Sequence, residues 1–162
     1  MWHTLAQSTD IEVDDISAWP PYAPPMDHGR EVLVETGEGK FGQTIAIGPH
    51  TLKGDEPAAA GGADQGPMPF EYLGAALGTC TSMTVKMYSD RKGWKLTAVR
   101  VSVTQDEVDG ALVFRRRIAL TGELSDEERT RLLDIANKCP VHKALSGTIR
   151  IESSLADPKS IP

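Results

Sequence analysis

Two residues in the chain can carry covalent redox chemistry, Cys80 and Cys139. A thiolate oxidised by a peroxide becomes a sulfenic acid, and a second thiol within reach condenses with it to a disulfide. Cys80 closes an apolar stretch that begins at Tyr72. Cys139 precedes Pro140, and proline suits the first turn of a helix. Cys139 is therefore read as a helix cap, where the positive end of the helix favours a thiolate. Both cysteines are equally readable as small core residues, since free cysteine is among the most buried types. A single far-spaced pair without a CxxC argues against structural zinc. No metal or other cofactor is expected.

Three further side chains could serve these thiols. His142 follows Cys139 by three residues, one helical turn on, and could tune it, or it could be a plain cap or surface residue. Arg116 interrupts the apolar strand face formed by Leu112, Phe114, Ile118 and Leu120. Two placements are open for it. Turned inward, it needs a partner such as a thiolate or Glu71; at a bulge or edge it faces solvent. Glu71 lies nine positions before Cys80. At about 100° per residue that is the opposite side of a regular helix, so Glu71 does not reach its own Cys80 directly. A hydrolase built on Cys80 and His142 lacks an identifiable oxyanion hole and an orienting third group.

The elements that must position these residues follow from pattern. Residues 31–36 and 41–48 read as two strands of a hairpin, and the Gly- and Pro-rich residues 49–66 as loop. Residues 68–91 read as one long helix, stopped by Gly93. Its first half, Tyr72 to Cys80, is apolar or small almost all round. That implies cover on every side, most simply from a second subunit. Val99, Val101 and Val103 alternate with polar residues in a half-buried strand. Asp109-Gly110 turns that strand back on itself. Ser125 and Glu128 form a capping box opening a helix; Val141 to Leu145 follow as a short one, and Thr148 to Ser153 as a last strand. The order is ββ-α-ββ-αα-β, an α+β fold.

Residues 1–28 read as an extended arm. Pro20, Pro21, Pro24 and Pro25 cluster there, with Trp2, Trp19 and Tyr22 as possible anchors. Residues 29–156 form the domain, and 157–162 a tail. A chain of 162 residues is one domain's worth. Its net charge of −6 disfavours nucleic acid as a partner. No apolar run is long enough to span a membrane. Met1-Trp2-His3-Thr4 lacks the start of a signal peptide, so a cytoplasmic location with reduced thiols is expected.

GADQGPMPFEYLGAALGTCTSMTVKMYSDRKGW (residues 61–94) and ANKCPVHKAL (residues 136–145) together resemble the OsmC/Ohr family, the osmotically inducible and organic-hydroperoxide-resistance proteins. The likeness runs over roughly residues 30–155. It is nearest to the OsmC-like branch marked by His50, Leu52, Asp55-Glu56-Pro57 and Gly61-Gly62. The resemblance implies an intertwined homodimer with two long central helices packed within sheets. It implies a thiol-dependent peroxidase for organic hydroperoxides, Cys80 peroxidatic and Cys139 resolving, reset by a dithiol reductant of lipoyl or other type. The chain departs from the family's peroxidases at two places. Phe70 stands where they carry a glutamate, with Glu71 next to it. Their hairpin arginine has no match here, where Arg30, Lys40 and Gln43 are the polar candidates. Arg116 is therefore the cation to examine first. The alternative is a non-catalytic dimer of the same fold that binds a small apolar ligand.

Overall fold

The computed structural model describes residues 29–161. The arm read at 1–28 lies outside the described residues. Val32–Thr36 (β1) and Gln43–Ile47 (β2) pair antiparallel, and β2 pairs in turn with His50–Gly54 (β3). The third strand corrects the reading of 49–66 as loop throughout. Gly48 and Pro49 are the tight turn between β2 and β3 rather than the start of a loop. Gly48, at φ 57°, supplies the positive φ that a type II′ hairpin requires at its first central position. Loop proper begins at Asp55 and includes a 3-10 turn at Ala58–Ala60.

Pro69–Lys92 (α1) is a 24-residue helix ended by Gly93 at φ 69°. Its buried residues are Leu77, Cys80, Thr81, Thr84, Val85, Tyr88 and Ser89. They recur every three or four positions and form one stripe. Leu73, Ala75, Ala76 and Met83 stay exposed, so within one chain only one side of the apolar stretch is covered. Lys95–Val108 (β4) and Ala111–Glu123 (β5) form a long hairpin. Asp109 and Gly110 both have positive φ, as a type I′ turn needs. Its inner face, including Val99, Val103, Phe114, Ile118 and Leu120, packs towards the helices.

Asp126–Ala136 (α2) starts at the Ser125–Glu128 capping box. Its Leu132, Ile135 and Ala136 meet Val85, Tyr88 and Leu96 in the main core. Burying side chains such as Leu132 or Ile135 contributes about 1.5–3 kcal/mol each. Arg129 ties α2 to β5 by donating to the carbonyls of Leu120 and Gly122. Pro140–Leu145 (α3) follows with Cys139 as its cap. A second, smaller cluster joins Leu77, Cys80 and Cys139 to Val103, Phe114, Val141 and Leu145.

The last strand is not formed: residues 148–153 have no regular structure. Ile149 and Ile151 alternate as a strand would, yet both are exposed. A strand exists only through its ladder, and no described edge pairs with this segment. The observed order is therefore βββ-α-ββ-αα, still α+β, with a three-stranded and a two-stranded antiparallel sheet. Among the described residues no helix is long and apolar enough to cross a membrane.

Candidate functional site

Helix periodicity puts Cys80 on the buried stripe of α1, and the break at Asn137–Cys139 turns Cys139 back towards it. Cys80 is 7% exposed and Cys139 not at all. Both are free thiols in one apolar cluster. Burial pushes the Cys80 thiol up, and the neighbouring Cys139 adds to this. The Val141 N–H and the Thr84 hydroxyl act in the opposite sense. Thr84 lies one turn after Cys80, and its buried Oγ1 has no hydrogen-bond partner within ordinary limits. Its influence on Cys80 is therefore that of a nearby dipole rather than a formed bond. The Sγ of Cys139 accepts the His142 N–H at 3.3 Å, the helix-cap geometry read from Pro140. It also lies 3.7 Å from Thr81 Oγ1.

Arg116 is turned inward. The β5 alternation runs without a bulge around it, opposite Val103 on β4, and Arg116 is half-buried. Its Nη1 donates to Thr81 Oγ1 at 2.7 Å and to the Ala136 carbonyl at 3.2 Å. Its Nη2 donates to Asn137 Oδ1 at 2.8 Å. The partner is thus neither a thiolate nor Glu71. It is a hydroxyl that itself touches Cys139. Arg115 and Arg117 face out, and Arg115 pairs with Asp106 across the hairpin.

Glu71 stays at the start of α1, where its Oε2 accepts the Met68 N–H at 2.9 Å. Phe70 beside it is exposed. The other polar candidates, near the first hairpin, lie elsewhere. Lys40 lies over the Phe41 ring at 4.8 Å, the Gln43 amide donates to the Phe41 carbonyl, and Arg30 lies beside Gly48. Asp55 organises the loop before α1, accepting N–H bonds from Glu56, Ala63 and Gln65. Burial alone would raise its pKa, but these three bonds hold it below the ordinary value. Gly62 leaves no room for a side chain against Asp55 and the Glu56 carbonyl. The Asp55 and Gly61-Gly62 positions thus serve the loop.

A cleft of about 360 Å³ adjoins the thiol cluster, sharing Leu77, Phe114 and Leu145 with it, and Arg116, Asn137 and His142 also line it. A separate groove of about 780 Å³ runs between α1 and β4 and has neither thiol in its lining.

A family model described as OsmC-like protein matches residues 61–154. The chain belongs to the OsmC/Ohr family. The OsmC fold is found again in solved structures. The OsmC-like protein of Mycoplasma pneumoniae superposes with a TM-score of 0.63 at 19% identity, over 75% of this chain and 90% of that one. An organic hydroperoxide resistance protein of Legionella pneumophila gives 0.55 at 14% identity, over 72% and 90%. The organic hydroperoxide resistance protein of Bacillus subtilis gives 0.51 at 21% identity, over 74% and 92%. At these identities the likeness is one of fold. No curated protein matches the chain in sequence.

Within this OsmC chain, Thr81, Thr84 and Asn137 are the site residues that sequence reasoning missed. Thr84 was available from helical spacing, four positions after Cys80. Thr81 and Asn137 carried no local signal, because their roles depend on where β5 delivers Arg116.

Burial, and then the charge of Arg116, lower the His142 pKa. The fold thus favours the neutral ring. Its contribution to stability is complete above about pH 6.5 and declines as pH falls from there through the folded-state value. Replacing Arg116→Ala should raise the His142 pKa part of the way back to about 6.5, since burial, the larger cause, remains. Imidazole titration by NMR measures it. An unmoved titration would contradict the Arg116 placement.

Proposed function

We propose that this OsmC-family chain is a thiol-dependent peroxidase that reduces organic hydroperoxides. The observation carrying this reading is the pair of free thiols, buried together in one apolar cluster from distant parts of the chain. In the first step the Cys80 thiolate attacks the distal oxygen of the hydroperoxide. The S–O bond forms, the O–O bond breaks, and the alkoxide leaves to take up a proton as the alcohol. Cys80 is then a sulfenic acid. In the second step the Cys139 thiolate attacks that sulfur and expels hydroxide, giving a Cys80–Cys139 disulfide. A dithiol reductant, lipoyl-type or similar, resets the pair by two exchanges and is itself oxidised to a disulfide. The cleft beside the thiols, with Leu77, Phe114 and Leu145 in its wall, suits an apolar substituent on the peroxide better than hydrogen peroxide alone. Arg116 is the cation joined to this cluster by a hydrogen bond, through Thr81, and Glu71 enters it only by positioning the start of α1.

The active form in this reading is a homodimer. Val32, Val34, Phe41 and Leu52 leave an exposed apolar groove of about 580 Å³ over β1–β3. Leu73 and Met83 on α1 are exposed as well. Apolar surface in patches of this kind marks an interaction site, and Ile149 and Ile151 add exposed apolar side chains after α3. Sedimentation should give a dimer at micromolar concentration, and a stable folded monomer would contradict it.

Turnover of cumene hydroperoxide with a dithiol tests the enzyme reading. Cys80→Ser should lose turnover to background, because the attacking atom is gone. Cys139→Ser should complete one oxidation and stall, with over-oxidation of Cys80 to the sulfinic acid. Equal turnover by the wild type and Cys80→Ser would favour the non-catalytic, ligand-binding dimer.

A further inference from the structure

Thr81 has no place in the cysteine cycle as written above, yet it is fully buried beside Cys139. Its Oγ1 accepts from Arg116 Nη1 at 2.7 Å, lies 2.7 Å from the Leu77 carbonyl and 3.7 Å from Cys139 Sγ. A hydroxyl has one hydrogen and two lone pairs. With Arg116 filling one lone pair, the hydrogen has two takers, the Leu77 carbonyl and the Cys139 sulfur. When Cys139 is a thiol, the hydrogen rests on Leu77 and the S–H can donate to the second lone pair. When Cys139 is a thiolate, the hydrogen turns to the sulfur. The Leu77 carbonyl keeps the main-chain bond that α1 gives it from the Thr81 N–H, so releasing the hydroxyl costs little. A donor polarised by a guanidinium is stronger than a neutral one.

We propose that Thr81 is a positioning residue that carries the charge of Arg116 to Cys139, so that the cation of this site supports the resolving thiol and not Cys80. This rests on the two-cysteine reading for its purpose but not for its chemistry. The assisted step is the second one: Cys139 thiolate attacks the Cys80 sulfenic acid, the S–S bond forms, and hydroxide leaves. Among the described residues, Cys80 from α1, Arg116 from β5 and His142 from α3 pack near Cys139, and Lys138 and Lys143 flank it along the chain. α2 and its end contribute the Ala136 carbonyl and Asn137, which hold Arg116 in place. His142 touches the sulfur through its backbone N–H, so its ring charge is not the supporting one.

The test uses the full chain with Cys80→Ser, in which thiolate absorbance at 240 nm reports Cys139 alone and no peroxide is present. Adding Thr81→Val should move the thiolate titration of Cys139 up by about one pH unit, a tenfold loss of thiolate at fixed pH. Thr81→Ser should restore it. Arg116→Gln should shift it in the same direction, and this shift should largely disappear in the Thr81→Val background, because the charge acts through the hydroxyl. An unshifted titration in Thr81→Val overturns the proposal, as does an Arg116→Gln shift of equal size with and without the hydroxyl. Should Thr81→Val fail to fold, Arg116→Gln alone decides: no shift overturns the relay. A chain that titrates as expected but consumes no hydroperoxide keeps the relay and removes the peroxidase reading.

Discussion

The guanidinium of Arg116 is the constraint around which the site is arranged. A cation on the inner face of a strand must be met by polar partners or the strand must turn it out. Here the partners come from three places at once: a hydroxyl on α1, and the last carbonyl and the following amide of α2. One side chain of β5 thus joins the hairpin to both helices at the point where the chain breaks into Cys139 and α3. Removing it would take one charge-assisted hydrogen bond from each of the Thr81 hydroxyl and the Ala136 carbonyl, about 1.5–3 kcal/mol apiece, although the Leu77 carbonyl and the Cys139 N–H stay as their other partners.

That junction also separates the two thiols in character although they share one cluster. Cys80 sits in the middle of a long helix, where burial opposes ionisation, the Val141 N–H favours it, and the Thr84 hydroxyl forms no bond. Cys139 sits at a helix start, where its sulfur accepts the His142 N–H and lies beside the Thr81 hydroxyl. In the proposed cycle the two settings have different uses: the mid-helix sulfur meets the substrate, and the sulfur at the helix start closes the disulfide.

Much of this was legible in the sequence because it is local. Ser125 with Glu128, Cys139 before Pro140, Asp109-Gly110 and Gly93 each specify a backbone event within a few residues, and each occurs where the spacing puts it. Alternation through Val99, Val101 and Val103 correctly gave β4. The order of elements went wrong where a pattern and its partner are far apart. The alternation at Ile149 and Ile151 is real, but a strand needs an edge. Conversely, β3 was hidden by a Gly-Pro pair that reads as loop and acts as a turn. At the site, the apolar settings of both cysteines were readable. The partner of Arg116 was not, since Thr81 and Asn137 meet it only after β5, α1 and α2 have packed. Glu71 shows the converse: helix arithmetic alone kept it away from Cys80, and it is found at the α1 start.

The central claim is that Cys80 and Cys139 are one redox pair within a single chain. Its most direct test is to treat the reduced protein with one equivalent of cumene hydroperoxide, digest it without reductant, and identify the cysteine peptides by mass spectrometry. The account predicts that the peptides carrying Cys80 and Cys139 are recovered joined to each other by a disulfide. Recovery of both as free thiols, or of Cys80 as sulfinic acid with Cys139 unchanged, would contradict it.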